Sequence, residues 1–135
     1  MSIDDDRAVL ITGASTGIGA ACAVHLDRIG FTVLAGVRRE QDGDALKRLT
    51  NDHLVPVLLD VTDESSIQQA KARVSELIAP RGLYGLVNNA GVVVASPLEA
   101  VPIADLRRQL DINVIGQVAV TQAFLPLIRH ARGRI

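Results

Sequence analysis

Three glycines in a short segment are the residues of this sequence whose types and spacing most clearly suggest chemistry. Gly13, Gly17 and Gly19 follow a G-x3-G-x-G pattern within residues 12–19, between an apolar run and an alanine-rich segment. Glycines there allow a tight turn, close approach of the backbone to a pyrophosphate, and close packing of a helix on a sheet. The N–H groups and dipole at the helix start favour the anion. The pattern predicts a phosphate-binding turn; the alternative is a tight turn without a ligand.

Polar residues that follow two later apolar runs are the second set of candidates. Asp60 and Val61 come at the end of the run 54–59, and the segment 88–91, NNAG, follows another run. Ligands bind at the carboxyl ends of strands in open α/β sheets, so these residues are expected to face a ligand. The alternatives are an ordinary loop aspartate and a polar turn. Asn113 lies among apolar residues and is either a hydrogen-bonded core residue or part of a site.

The composition excludes several functional classes. The 135 residues are 48% hydrophobic, 21% charged and 2% aromatic, with a formal net charge of −1. These values predict one globular domain, residues 1–135, and argue against a disordered chain and against binding to nucleic acid or to a membrane surface. Cys22 is the only cysteine and the three histidines are scattered, so we predict no disulfide and no metal site.

The sequence shows no targeting or membrane segment. Its start, MSIDDDR, is acidic and lacks the basic start and the apolar run of a signal peptide. Apolar stretches stay short of the about 20 residues that a membrane span needs. We therefore expect a cytoplasmic protein.

Short apolar runs alternate with longer amphipathic segments along the chain. Strands are predicted at 8–13, 31–37, 54–59 and 83–87, and helices at 17–29 and 63–79. Residues 103–132 are predicted to form one long helix or two in succession. Strands joined by helices at this spacing form right-handed crossovers and a parallel sheet with helices on both faces. Pro56 cannot donate to a sheet ladder, which predicts that the third strand lies at an edge.

The last predicted helix is apolar on two sides. One stripe consists of Leu106, Leu110, Val114, Val118, Thr121, Leu125 and Ile128, and a second of Ile112, Ile115, Ala119 and Ala123. A helix of this kind is usually buried on both sides, so we expect further chain or a second subunit to cover it. Residues 133–135, GRI, have the pattern of a strand start, and the sheet is therefore expected to be truncated before its fifth strand.

The segment TGASTGIG resembles the cofactor motif of the short-chain dehydrogenase/reductase family. Asp60 and Val61, the NNAG segment 88–91 and Asn113 within LDINVIG match that family in order and spacing, over essentially the whole chain. The resemblance implies a Rossmann-type doubly wound parallel sheet and a pyridine dinucleotide cofactor. It further implies hydride transfer between a carbonyl compound and an alcohol, both of them small molecules.

The same resemblance assigns roles to individual residues. The implied cofactor-binding residues are Gly13, Ser15, Thr16, Gly17, Ile18, Gly19, Arg38, Asp60, Val61, Asn88, Ala90 and Gly91. The Asp60 carboxylate would accept a hydrogen bond from the adenine amino group, and the Val61 amide would contact the ring. Asn88 is expected to tie neighbouring strands together. Asn113 is the implied catalytic residue, holding the helix and a water in a proton relay.

The end of the second strand bears on the choice of cofactor. Family members that prefer NAD usually carry an acidic residue there, whereas this sequence has Val37 followed by Arg38 and Arg39. A guanidinium suits a 2′-phosphate. The resemblance therefore implies NADP(H), with NAD(H) as the alternative, and Arg38 is a stronger candidate than Arg39. A solvated basic turn is the other interpretation of the two arginines.

The sequence lacks the proton donor that the family uses. Carbonyl reduction needs a hydride and a proton, and the family supplies the proton from a Tyr-x3-Lys pair. Here Tyr84 is the only tyrosine, Asn88 stands four residues later, and Tyr84 is expected to pack at the sheet rim. We therefore expect the cofactor-binding portion of an oxidoreductase, inactive alone, which would form a homo-oligomer when complete. The alternatives are a non-catalytic dinucleotide-binding module, such as a pseudo-enzyme subunit, and half of a split enzyme.

Overall fold

The computed structural model describes residues 5–51 and 53–135. The described elements are β1 (Asp5–Ile11), α1 (Gly17–Arg28), β2 (Phe31–Val37), α2 (Glu40–Lys47), β3 (Leu54–Leu58), α3 (Glu64–Ile78), β4 (Gly85–Val87), α4 (Ile103–Leu110), a π-helical turn (Asp111–Gly116) and α5 (Gln117–His130). The four strands form one parallel sheet in the order β3-β2-β1-β4. This confirms the predicted α/β fold with a Rossmann-type parallel sheet.

Alternate residues of β1 pack on opposite faces of the sheet, as successive side chains of a strand do. Leu10 belongs to a buried cluster that includes Val74 of α3 and Phe124 of α5. Ile11 belongs to a second cluster, formed with α1 and α2, that includes Ala23. The sheet is therefore covered on both faces, which explains why its strands are almost continuously apolar.

The third strand lies at an edge of the sheet, as Pro56 predicts. β3 pairs with β2 alone among the described strands. A Cβ added to Gly43 of α2 would lie 2.6 Å from the Cβ of Pro56, so the glycine lets α2 pack closely on this edge. The helix α2 was not predicted from the sequence, where residues 40–51 read only as a polar segment.

A capped helix follows the third strand. The Asp63 carboxylate accepts hydrogen bonds from the backbone N–H groups of Ser65 at 2.9 Å and Ser66 at 3.3 Å. These bonds satisfy donors that the first turn of a helix otherwise leaves free. The cap thus fixes where α3 begins and holds the short connection from Asp60 to Asp63 in place.

The fourth strand is short and has a neighbour on its outer side. Arg134 forms an isolated parallel bridge with Gly85, in which Leu86 N–H donates to the Arg134 carbonyl at 3.0 Å. The Arg134 N–H donates in turn to the Tyr84 carbonyl at 3.0 Å. Residues after α5 therefore return to the sheet beside β4, where the sequence predicts a fifth strand.

Tyr84 packs at the amino-terminal edge of the sheet. Its ring centroid lies 6.2 Å from that of Phe31. Its hydroxyl accepts hydrogen bonds from Arg7 Nη1 at 3.1 Å and Arg134 Nη2 at 2.6 Å. Because parallel strands run in one direction, this edge lies opposite the glycine turn at the carboxyl end of β1. The phenol therefore cannot serve a site at that turn.

The segment 103–130 is one continuous helix, but its buried face differs from the predicted one. Val120 and Phe124, which the predicted stripes omit, are fully buried, whereas Leu110, Val114 and Val118 are 45–52% exposed. The π-helical turn explains the difference, because its i→i+5 bonds place more residues in a turn than the 3.6 assumed for the stripes. The face that meets the sheet therefore changes between α4 and α5, and an apolar strip stays exposed.

This helix bears on the expectation that the chain has no membrane segment. Ile103–His130 spans 28 residues and is predominantly apolar. It is the one helix in the described part of the chain that is long and apolar enough to cross a membrane. Length and composition alone are weak support for a span, because core helices of soluble proteins meet the same criteria.

Candidate functional site

An open cleft of about 710 Å³ lies at the carboxyl ends of the strands. Its lining comes from the glycine turn, the ends of β2, β3 and β4, and the helix 103–130: Gly13, Ser15, Thr16, Ile18, Arg38, Leu59, Asp60, Val61, Thr62, Asn89, Ala90, Gly91, Val92, Ala104, Arg107, Arg108, Asp111 and Ile112. In the order β3-β2-β1-β4, the direction of chain progression reverses between the neighbouring strands β1 and β4, so the cleft lies where open α/β sheets bind ligands. The volume suits a small-molecule ligand or cofactor.

The glycine turn needs glycine for two separate reasons. Gly13 has φ +63° and Gly17 has φ +59°, a region that other residues rarely adopt. A Cβ on Gly13 would also lie 2.8 Å from the Cα of Ala90, and one on Gly19 would overlap the side chain of Asn89. The backbone conformation of the turn, and its close packing against the segment that follows β4, together require the predicted glycine pattern.

The start of α1 leaves backbone donors open to the cleft. Thr16 is its N-cap residue, and its side chain makes no capping hydrogen bond. The first N–H groups of a helix have no partner within the helix, so those of Gly17 and Ile18 are available to an anion. Ile18 is 82% exposed and lines the cleft. The turn thus has the geometry of an anion-binding helix start.

The structure brings most of the predicted cofactor-binding residues together. Those that line the cleft are Gly13, Ser15, Thr16, Ile18, Arg38, Asp60, Val61, Ala90 and Gly91. Gly17, Gly19, Asn88 and Asn113 lie outside that lining. Gly17 and Gly19 belong to the turn itself, and the two asparagines make hydrogen bonds with the helix 103–130 and with the segment after β4. Their roles toward a ligand stay predictions.

Thr12 and Asn89 join the first and fourth strands at the base of the cleft. Both lie in motifs that the sequence analysis singled out, but neither was given a role of its own. The fully buried Thr12 hydroxyl accepts from the N–H groups of Asn89 at 3.0 Å and Ala90 at 2.9 Å. The Asn89 side chain donates to the carbonyls of Thr12 at 3.1 Å and Gly13 at 3.0 Å. Residues 75 or more positions apart are thereby held together, and no local pattern marks such a bond.

Replacing Thr12 with valine is expected to destabilise the chain by about 1–3 kcal/mol, because the partly buried N–H of Ala90 would lose its acceptor. Thr12→Ser keeps the hydroxyl and is the matched control. Chemical denaturation of both variants measures the effect. Equal free energies of unfolding for the valine and serine variants would contradict the assigned hydrogen bond.

Asn88 acts differently from the expectation. It was expected to tie neighbouring strands, but its Nδ2 donates to the hydroxyl of Thr121 on α5 at 3.0 Å. Its Oδ1 is buried without a hydrogen-bond partner among the described residues. The neighbouring Asn89 makes the bonds between strands instead. In sequence the two asparagines are indistinguishable, because only the backbone geometry after β4 decides which one faces β1.

Asn113 lies in the π-helical turn and pairs with the backbone of one residue. Its Oδ1 accepts from the Val92 N–H at 2.8 Å, and its Nδ2 donates to the Val92 carbonyl at 2.7 Å. A Cβ on Gly91 would lie 3.3 Å from the Asn113 Oδ1, so the glycine gives this side chain room. The amide therefore holds the segment after β4 against the helix, and its predicted part in a proton relay is untested.

The two arginines that follow β2 lie in different environments. Val37 is buried, with an exposure of 2%, and Arg38 is the first residue beyond it to line the cleft. Arg39 Nε instead lies 3.1 Å from Asp42 Oδ2, in an ion pair within the first turn of α2. The geometry agrees with the ranking of Arg38 above Arg39 as a phosphate ligand.

The Asp60 carboxyl at the mouth of the cleft is held in its ionised form. Its pKa is lowered from the ordinary value of 3.8, mainly by a hydrogen bond from the Thr62 hydroxyl at 2.7 Å and then by the Thr62 N–H at 2.9 Å. Partial burial acts in the opposite direction, and the positive charge of Arg38 contributes the smallest lowering. The carboxylate is thus a hydrogen-bond acceptor, suited to an amino group on a ligand.

Replacing Thr62 with valine is expected to raise the pKa of Asp60, because the strongest hydrogen bond to the carboxylate is lost. A carboxyl group whose pKa is lower in the folded than in the unfolded chain stabilises the fold at pH values above its ordinary pKa. This stabilisation disappears as the pH falls through the pKa of the folded state. NMR titration of the carboxyl carbon measures the shift. Thr62→Ser keeps the hydroxyl, and a rise of equal size in that control would contradict the explanation.

Residues of the helix 103–130 form the far wall of the cleft, and sequence reasoning missed them. Arg107, Arg108 and Asp111 line the cleft opposite the ends of the strands. Two adjacent arginines were visible in the sequence, but nothing local indicated which face of the helix meets the cleft. In residues 5–51 and 53–135, no group of three or more His, Cys, Asp or Glu residues could hold a metal ion.

Comparison with known proteins gives a consistent result. A family model described as short chain dehydrogenase matches residues 7–135. Retinol dehydrogenase 7 of Mus musculus is 44% identical over 130 residues, which cover 96% of this chain and 41% of that protein. Estradiol 17-beta-dehydrogenase 2 of Mus musculus is 41% identical over 134 residues, covering 97% of this chain and 35% of that protein. The chain thus spans about two fifths of the length of these curated relatives.

A solved structure agrees in fold and in extent. The crystal structure of NADPH bound carbonyl reductase from chicken fatty liver superposes with a TM-score of 0.86 at 36% sequence identity. The match covers 93% of this chain and 52% of that one. The similarity in fold therefore extends over almost the whole of this chain.

Proposed function

This chain belongs to the short-chain dehydrogenase family, and from that premise we propose that it binds NADP(H) as the cofactor portion of an oxidoreductase. The reaction we propose is hydride transfer between a carbonyl compound and an alcohol. The observation that carries the proposal is the glycine turn, whose open backbone donors and tight approach to Ala90 shape one end of a cleft of about 710 Å³.

The residues along the cleft fit the parts of a dinucleotide. Amides at the start of α1, with the Ser15 and Thr16 side chains nearby, would hold the pyrophosphate. Asp60 would accept from the adenine amino group, beside the backbone of Val61. Ala90 and Gly91 carry small or no side chains, so a flat ring can approach the end of β4 there. When bound, the nicotinamide supplies or accepts the hydride.

Arg38 is the residue on which the proposed preference for NADP(H) depends. It is exposed and lines the cleft, whereas Val37 is buried and offers no carboxylate to a ribose hydroxyl. A guanidinium can bind a phosphate through two parallel hydrogen bonds. The chicken carbonyl reductase, which is similar in structure, is described as bound to NADPH.

We further propose that the substrate is an apolar carbonyl or alcohol. The named relatives are dehydrogenases of retinol and of estradiol. The loop that follows β4 in this chain is apolar, and its Val93 and Leu98 are 88% and 89% exposed. Val92 of this loop lines the cleft. Exposed apolar side chains in such a loop favour a ligand whose apolar surface is removed from water on binding.

Within residues 5–51 and 53–135, no tyrosine is placed to donate the proton in the way that the family does. Tyr84 is the only tyrosine of the chain, and it lies at the opposite edge of the sheet. We therefore propose that this polypeptide alone binds the cofactor without sustained turnover. Incubation with NADPH and a panel of apolar ketones tests this, and continuous loss of absorbance at the NADPH maximum would contradict it.

Isothermal titration calorimetry of the 135-residue chain tests the proposed function directly. We expect binding of NADPH and NADP⁺, with weaker binding of NADH. A sample shown to be folded by circular dichroism that binds none of these would refute the proposal. The alternative, a non-catalytic nucleotide-binding subunit, also predicts binding. A reading frame that continues beyond Ile135 into a Ser and Tyr-x3-Lys segment would decide against that alternative.

A further inference from the structure

Three side-chain amides of the helix 103–130 contact one extended segment of backbone. Gln109, Asn113 and Gln117 stand four residues apart, and we refer to them as the amide ladder. Their partners are Val94, Val92 and Ala90, which alternate along residues 90–94, the wall segment. The wall segment forms no strand or helix of its own.

The two spacings match because of the geometry of helix and extended chain. Four residues of α-helix rise about 6 Å, and two residues of extended backbone span about 6.6 Å. The residue numbers run in opposite directions, with Gln109 at Val94 and Gln117 at Ala90. An extended segment lying antiparallel to the helix therefore meets one amide at every second residue.

The π-helical turn explains how three amides can stay on one side of the helix. Four residues are slightly more than one turn of α-helix, so side chains four apart drift around its axis. A π-helical turn contains more than four residues, so side chains four apart within it are displaced around the axis in the opposite direction. Because the turn Asp111–Gly116 lies between Gln109 and Gln117, the two drifts offset each other. The turn thus serves the alignment of the ladder.

The three ladder residues differ in whether they accept or donate the hydrogen bond to the wall segment. Gln109 Oε1 accepts from the Val94 N–H at 2.6 Å, and Gln117 Nε2 donates to the Ala90 carbonyl at 3.4 Å. Asn113 makes both kinds of bond with Val92. Backbone groups in a segment without regular structure need partners from elsewhere, so the ladder takes the place of a neighbouring strand.

The ladder joins two sides of the same cleft. Ala90, Gly91 and Val92 line the cleft from the wall segment, and Arg107 and Asp111 line it from the helix. The ladder residues themselves are absent from that lining, so they act on a ligand only through the backbone that they hold. Loosening one rung would widen the distribution of distances between the two sides.

We propose that Gln109 and Gln117 are positioning residues that, together with Asn113, hold the wall segment against the helix and thereby set the affinity for the dinucleotide. The proposal rests on the proposed function for its ligand. Neither glutamine touches the cofactor; each holds a backbone group of the cleft wall. The polarity of each bond makes the two glutamines respond differently to the same substitution.

Exchange of glutamine for glutamate separates the two positions. Gln109→Glu keeps the oxygen that accepts from Val94, whereas Gln117→Glu removes the donor and places a carboxylate against the Ala90 carbonyl. Gln109→Leu removes the acceptor altogether. Gln122→Leu, an exposed position on the same helix with no assigned hydrogen bond, is the matched control.

Two quantities are measured for each variant: the hydrogen exchange rate of the Val94 amide by NMR, and the NADPH dissociation constant. We expect Gln109→Leu to speed exchange at Val94 and raise the dissociation constant, each by roughly 3- to 10-fold. Gln117→Glu should raise the dissociation constant by a similar factor. Gln109→Glu and Gln122→Leu should stay within about 2-fold of the parent chain, less than one lost hydrogen bond would produce.

Unchanged exchange and affinity in Gln109→Leu would overturn the proposal. So would equal effects of glutamate at positions 109 and 117, a comparison that holds even if the leucine variant fails to fold. Protection of the Leu10 and Leu34 amides in the sheet core serves as the measure of folding. If the parent chain bound no dinucleotide, the proposed function would fall, and exchange at Val94 would still decide whether the ladder holds the wall segment.

Discussion

Replacing Arg38 with alanine is expected to remove the preference for NADPH over NADH. Loss of a charge-assisted contact to the 2′-phosphate weakens NADPH binding by about 1–3 kcal/mol, or roughly 5- to 150-fold. NADH has no phosphate at that position, so its affinity should change little. Calorimetric titration of parent and variant with both nucleotides measures the difference. Equal affinities of the parent chain for the two nucleotides would contradict the assignment.

The neighbouring arginine provides the control for this prediction. Arg39 has the same charge and stands one residue later, but it forms an ion pair with Asp42 and does not line the cleft. Arg39→Ala is therefore expected to leave the ratio of the two affinities unchanged. A loss of selectivity in both variants would instead indicate a general electrostatic attraction, which salt would screen.

Replacing Gly13 with alanine is expected to destabilise the fold by about 3 kcal/mol or more and to abolish measurable nucleotide binding. Two costs combine at this position. An alanine at φ +63° is strained, and its Cβ would lie 2.8 Å from the Cα of Ala90, a backbone atom whose residue is held by a hydrogen bond from its N–H to the Thr12 hydroxyl. Urea denaturation and calorimetry with NADPH measure the two effects.

Gly17→Ala separates these two costs. Gly17 has φ +59°, but a Cβ there would meet nothing within 4 Å. Its substitution should therefore carry only the strain of the left-handed backbone, about 1–2 kcal/mol. If the two alanine variants lost the same free energy of unfolding, crowding against Ala90 would have no part in the requirement for Gly13.

Elements with strong periodicity could be predicted from the sequence almost residue by residue. The strand predicted at 31–37 is β2, and the helix predicted at 17–29 ends one residue earlier. The helix α2 was missed because it has eight residues and one large buried apolar side chain, Leu46, which is too little to show a period. Pro56 located β3 at the edge because a missing donor has the same consequence in any sheet.

The candidate site was likewise predictable only where its requirements are local in sequence. The glycine turn was recognisable because its requirement for glycine is local, set by the backbone angles of Gly13 and Gly17. The contacts of Thr12 with Asn89, and of Asn113 with Val92, were not recognisable. They join residues 77 and 21 positions apart, and the side chains that make them have no special spacing.

The sequence by itself determined the alternation of strands and helices, the glycine turn and the family, because each is written in short-range patterns of size, polarity and conformational freedom. Only the tertiary structure decided which asparagine joins β1 to β4 and which face of the last helix is buried. Those outcomes depend on hydrogen bonds between distant residues and on one π-helical turn, Asp111–Gly116, that rotates the helix face away from its ideal period.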